Sequence, residues 1–150
     1  MQSHPETETV TGDFVWLRAG ELRLVLPHHD VGAAEYRDAR PMPAATRGLL
    51  RHEGAAGARH YAALSSDMTL LDKCPTDRFV IAPLRGVDLG WYWNEVRVLI
   101  GITLHLHSLP ACLAGPSTPV YAWVEHGGEL AYAGNAARVC EYALAAREDA

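Results

Sequence analysis

The chain has 150 residues, with 13 Lys+Arg against 18 Asp+Glu for a formal net charge of −5, and 49% of it is hydrophobic. This is ordinary globular composition, enough to bury a sizeable core without disulfides or metal, and it excludes disorder and collagen-like repetition. The mild acidity offers no basic field for phosphate, so neither nucleic acid nor an anionic membrane surface is expected as a partner.

Cys74, Cys112 and Cys140 are odd in number, far apart and outside any CxxC, which argues against a disulfide framework or a cysteine zinc site and favours a reducing cytoplasm. Residues 1–12 carry neither a basic start nor an apolar run and are expected to form a flexible tail before one domain over 13–150. The most apolar stretch, Val96–Leu106, is broken by Arg97, Gly101, Thr103 and His105 and falls short of the roughly 20 residues a membrane helix needs. No membrane insertion is expected.

In chain order, Phe14–Leu17 is aromatic and branched, Arg18-Ala19-Gly20 supplies a turn, and Glu21–Leu26 alternates Leu22, Leu24 and Leu26 with Arg23 and Val25. That pattern predicts a β-hairpin with one buried face, ended by Pro27. Asp30 is placed to cap a short helical turn reaching Tyr36. Between Ala44 and Ala58 the glycines favour loop, with Leu49-Leu50 able to pin one short strand and His60–Leu64 another. The hairpin pattern restarts at Arg78–Leu84 and Asp88–Trp93, with Leu89, Trp91 and Trp93 on one face, which predicts a lobe boundary near 73–77. Val98–His107 predicts a strand with Ile102, Leu104 and Leu106 inward and Thr103, His105 and His107 outward. Val120–Val124 and Glu129–Ala133 flank His126-Gly127-Gly128 as a third hairpin. Asn135 then caps a helix from Ala136 to about Arg147, with Val139, Tyr142, Ala143 and Ala146 as its stripe.

Chemistry-bearing residues are sparse. His105-Leu106-His107 places two imidazoles on one face of a strand, where they could share an ion with His28, His29 or Asp30 as remote ligands, but no acid follows them within a few residues. Paired histidines on an outward face are also ordinary polar surface. Ser65-Ser66-Asp67 reads as a turn rather than a nucleophile, since the chain has no G-x-S-x-G elbow. Glu53-Gly54-Ala55-Ala56-Gly57 lacks the Lys-Ser or Lys-Thr of a phosphate loop. Cys74, before Pro75, has no histidine or helix start beside it in the sequence, so oxidation sensitivity is all that is expected of it. In Trp91-Tyr92-Trp93 the alternation sends Tyr92 to the opposite face, which means either a strand covered on both sides or one aromatic group exposed for protein binding.

Several of these segments, in this order, resemble the CheW-like domain of bacterial chemosensory adaptors. Trp16–Pro27 with Asp30-Val31 is similar to the family's first hairpin, and Gly48–Gly54 (GLLRHEG) to its G-V-x-N-L-R-G segment. Arg78–Val96 resembles the second-lobe signature, with Gly86, Gly90, Asn94 and Val96 on matching positions, and Val120–Asn135 resembles the closing hairpin, with Gly128 and Leu130 kept. The resemblance covers about residues 13–146 and implies two small five-stranded β-barrel lobes sharing a core, followed by a C-terminal helix. It also implies no catalysis, and because the residues offer no acid/base pair, nucleophile or metal set at usable spacing, no cofactor and no metal are expected. Its expected role is that of a cytoplasmic adaptor coupling a chemoreceptor to a histidine kinase or a divergent equivalent, with Leu49, Leu50, Arg51, Glu53 and Gly54 as contact surface.

Arg51 and Glu53 stand where the family has asparagine and arginine, Asn94 and Asn135 where it has aspartates, and Ala33 where it has an acid. The arginine-to-glutamate exchange reverses a charge at a contact position, which points to a changed partner. Two other functions stay open: a small metal-dependent β-barrel enzyme using His105 and His107, and a small-ligand carrier with Trp91–Trp93 lining a cavity.

Overall fold

A computed structural model describes residues 7–36, 42–43, 50–54, 57–110 and 118–148. In chain order the strands are β1 (Thr7–Ala19), β2 (Leu22–Pro27), β3 (Glu35–Tyr36), β4 (Met42–Pro43), β5 (Leu50–Gly54), β6 (Gly57–Ala63), β7 (Val80–Pro83), β8 (Gly90–Trp93), β9 (Glu95–Ser108), β10 (Val120–His126) and β11 (Glu129–Gly134), and helix α1 spans Ala136–Glu148. The protein is mostly β, as the hairpin patterns require.

Strands β1-β2-β11-β10-β9 close into a five-stranded barrel. Its bore is filled by Trp16, and the inward positions facing that ring are small or branched: Val25, Ala122, Val124, Ala131 and Ala133, with Leu104 and Leu106. A five-stranded barrel has no room for a second large ring, so one tryptophan leaves space mainly for alanines across from it. Glycine serves the barrel at Gly101, where β9 carries one extra residue opposite β1 between Gly12 and Phe14. Gly101 adopts φ +62, and its N–H donates to the Asp13 carboxylate at 2.8 Å, so the bulge is built into both strands.

Residues 7–12, expected as tail, are paired strand, from Thr7 opposite His107 to Gly12 opposite Ile102. Thr7, Thr9 and Thr11 give no apolar alternation, but β-branched residues suit an exposed strand and the long β9 provides the partner.

The remaining strands form one six-stranded sheet, ordered β3-β7-β8-β6-β5-β4, rather than a second five-stranded barrel. Among the described residues its outermost strands are only two residues long and do not pair with each other. The whole sheet is inserted between β2 and β9. The restart of the hairpin pattern at 73–77 therefore marks no change of sheet: β6, before it, pairs with β8, after it. The chain crosses instead at 28–34 and at Asn94. Asn94 secures its crossing from both sides, because its N–H donates to Arg18 O (2.8 Å), its Oδ1 accepts from Gly20 N (2.6 Å) and its Nδ2 donates to Asp77 O (3.3 Å). An aspartate there would lack the donor for the last bond.

The two units share a core. Leu17, Leu22, Leu24 and Leu26 on the barrel's outer wall pack in one cluster with Ala62, Leu84, Trp91 and Trp93 of the sheet and with Val139, Cys140 and Ala143 of α1. On the sheet's other face, Leu50, Tyr61, Ala63, Ile81 and Tyr92 form a separate cluster. The helix therefore buries Ala136, Val139, Cys140 and Ala143, and leaves Tyr142 exposed. Asn135 caps it as expected, accepting from Arg138 N at 2.9 Å. Asp30 starts no helical turn to Tyr36. It ends a short 3-10 turn, and its carboxylate accepts from Ala136 N at 2.9 Å, adding a second cap to α1.

Candidate functional site

Because Trp16 fills the bore, β11 faces it with Ala131 and Ala133, and the large apolar residues of β11 turn outward. Leu130 is 58% exposed and Tyr132 36%, while Ala131 between them is buried. Tyr132 sits opposite Trp123 of β10. With Leu109 and Pro110 these residues line an apolar groove of about 280 Å³ on the barrel wall, with Arg23 at its edge. Trp123 is held in place by stacking on His107, with ring centroids 4.2 Å apart and planes inclined by 24°. At the edge, Arg23 Nε lies 3.0 Å from Glu129 Oε2. Both side chains of that pair are more than a third exposed, so it orients the rim more than it stabilises the fold.

A second cleft, of about 460 Å³ and polar in character, lies beside Thr7, Glu8, His107 and Tyr121. Burial pushes the Tyr121 hydroxyl pKa up, and Glu8 adds to the shift. Arg138 stands 6.0 Å over the Tyr121 ring.

The two histidines of β9 project outward and join a cross-strand polar ladder. Thr9 Oγ1 lies 3.2 Å from His105 Nδ1, Thr7 Oγ1 lies 3.5 Å from His107 Nδ1, and Thr11 meets Thr103 at 2.9 Å. Among the described residues no group of three or more His, Cys, Asp or Glu side chains could hold a metal ion. His29 pairs with Asp30 at 3.3 Å, on the loop leaving the barrel. Ser65 forms the turn expected of it, its Oγ accepting from Asp67 N and Thr69 N at 3.2 Å.

The aromatic strand is covered on both sides. Trp91 and Trp93 face the shared core, Tyr92 faces the other cluster, and none of the three is accessible. Of the contact residues expected from the resemblance, Leu50 is fully buried in the second sheet, opposite Tyr61, and presents no side chain to a partner. Arg51, Glu53 and Gly54 lie on β5, in register with His60, Ala58 and Gly57 of β6, and their side chains are outside the described residues, as is the whole of Leu49. The groove residues were not singled out from the sequence. The available signal was the Leu-Ala-Tyr-Ala alternation of β11, in which small residues facing a bore occupied by Trp16 force the large ones outward.

Neither the family models nor the curated proteins compared with this chain match it.

Proposed function

We propose that this protein is a non-catalytic interaction adaptor of the CheW-like kind, acting in the cytoplasm in a bacterial chemosensory or related signalling pathway. It would couple a receptor to a histidine kinase or to a divergent partner. The observation that carries this reading is the groove: Leu130 and Tyr132 stand exposed on the wall of a closed barrel, beside a half-buried Trp123 fixed by its stack. Aromatic anchors on a rigid element are what protein interfaces are built around. The motif order from Trp16 to Asn135 and the two β units sharing one core support the same reading. Among the described residues no helix is long and apolar enough to cross a membrane.

Titration calorimetry against a receptor signalling domain and a histidine kinase tests this function. Leu130→Glu should weaken binding by about 2 kcal/mol or more, through a desolvated charge at the contact, and leave the melting temperature unchanged. Glu53→Arg with Arg51→Asn, restoring the family's residues, should strengthen binding to an ordinary chemotaxis kinase. Affinities unchanged in both variants would remove both surfaces from the interface.

A further inference from the structure

The joint between the barrel and the inserted sheet holds two charges that the adaptor reading leaves unused. Arg78, on the loop between β6 and β7, is only 4% exposed. Its Nη1 donates to Leu64 O at 2.7 Å, while its buried Nε has no hydrogen-bond partner. Arg18, near the end of β1, is half-buried and donates from Nη1 to Gly20 O at 3.2 Å. Among the described residues no carboxylate oxygen stands within 4.0 Å of either guanidinium. A guanidinium keeps its charge in a protein, and burying one without a counterion is costly.

Gly20 brings these groups together. It turns with φ +65, and Asn94 Oδ1 fixes the turn by accepting from its N–H at 2.6 Å. A Cβ at Gly20 would stand 3.4 Å from Ser66 Oγ and 3.6 Å from Arg78 Nη2, so the absent side chain leaves a cradle bounded by a hydroxyl and a guanidinium. Two atoms that close to one point lie no more than about 7 Å apart, within reach of a single tetrahedral ion that bonds both. The Arg18 guanidinium, bonded to the carbonyl of the same glycine, supplies a third donor. Ser66 is exposed and gives the cradle its opening, while the buried Arg78 forms its floor. Burial depresses the Arg78 pKa; Cys74 and Asp77 oppose that shift, and the Arg18 charge adds to it, a repulsion that an anion between the two arginines relieves.

We propose that Arg18, Ser66 and Arg78 form a binding site for one tetrahedral oxyanion of the phosphate class, seated at the Gly20 turn. Two guanidiniums and a hydroxyl from separate segments suit an ion whose four oxygens point in different directions, whereas a carboxylate matches a single planar fork. The chain as a whole carries −5, so the attraction is confined to this cradle and extends to no polyanion. The ion bonds Arg18 of the barrel and Arg78 of the loop leading into β7, and its occupancy therefore ties the two units together.

The test titrates inorganic phosphate into the full chain at pH 7 and constant ionic strength, with calorimetry for affinity and the melting temperature recorded at each concentration. One ion per chain should bind with a Kd of about 1 mM or tighter, and the melting temperature should rise and level off as the site fills. Charge-assisted bonds being the stronger ones, Arg18→Gln should weaken binding about tenfold or more, Ser66→Ala about threefold, and Arg78→Gln should abolish it. Acetate should bind at least about tenfold more weakly than phosphate. No saturable binding up to about 10 mM phosphate overturns the proposal. So does native affinity in any of the three variants once folded, or acetate matching phosphate. If Arg78→Gln does not fold, the native chain, Arg18→Gln and Ser66→Ala decide.

Discussion

Leu24→Ala tests whether the barrel and the inserted sheet are one cooperative body. Leu24 belongs to the barrel by sequence and pairing, yet it is fully buried among Trp91, Trp93 and Val139, on the side where sheet and helix meet the barrel wall. Truncation removes three carbons, about 2.4 kcal/mol at ~0.8 kcal/mol each, and a residual cavity among rigid rings raises the loss to about 3–4 kcal/mol. For a domain of this size that lowers the melting temperature by roughly 10 °C. Hydrogen exchange read by mass spectrometry locates the loss. With a shared core, the most protected amides of β7 and β8 should lose the same 3–4 kcal/mol as those of β1 and β2, and calorimetry should show a single transition. Loss confined to the barrel strands, or two resolved transitions, would refute the argument.

Gly90→Ala should cost about 2–3 kcal/mol in urea unfolding, because its Cβ would stand 2.5 Å from Tyr61 Cδ1 and 3.1 Å from Ile81 Cγ2, both inside a packed cluster. Asn135→Ala and Asp30→Ala should each lose about 1 kcal/mol through α1, and the double variant should lose less than the sum if the two caps act on one fraying equilibrium. Cys140 gives a pH prediction: its thiol titrates near 9.0 when unfolded and about 12 when folded, so its contribution is intact below pH 9 and declines as alkali ionises the unfolded chain first. Stability measured from pH 9 upward should therefore fall more steeply in the native chain than in Cys140→Ala.

The hairpins were legible because alternation and turn glycines act over a few residues. Leu22, Leu24 and Leu26 announce one buried face, Gly127-Gly128 its turn, and Asn135 its helix. What depends on distant pairing was hidden. The parallel match of Tyr132 to Leu24 joins β11 to β2 and so completes the barrel across the inserted sheet's strands in the sequence, and nothing local at either residue records it. The second cap on α1 crosses 106 positions from Asp30. The groove was obscured for the same reason: that Leu130 and Tyr132 point outward depends on Trp16, on another strand, already filling the bore. In the same way, Leu50 reads as a contact residue from its motif, but the inserted sheet makes it core.

The central claim, that the groove on β10 and β11 is where a signalling partner binds, is most directly tested by photo-crosslinking in the native cell. A photoreactive residue at Leu130 is compared with one at Tyr36, which is 80% exposed but lies in the other sheet. The account predicts a covalent adduct with a receptor or histidine kinase from position 130 and none from position 36. No adduct from position 130, or the same adducts from both positions, would contradict it.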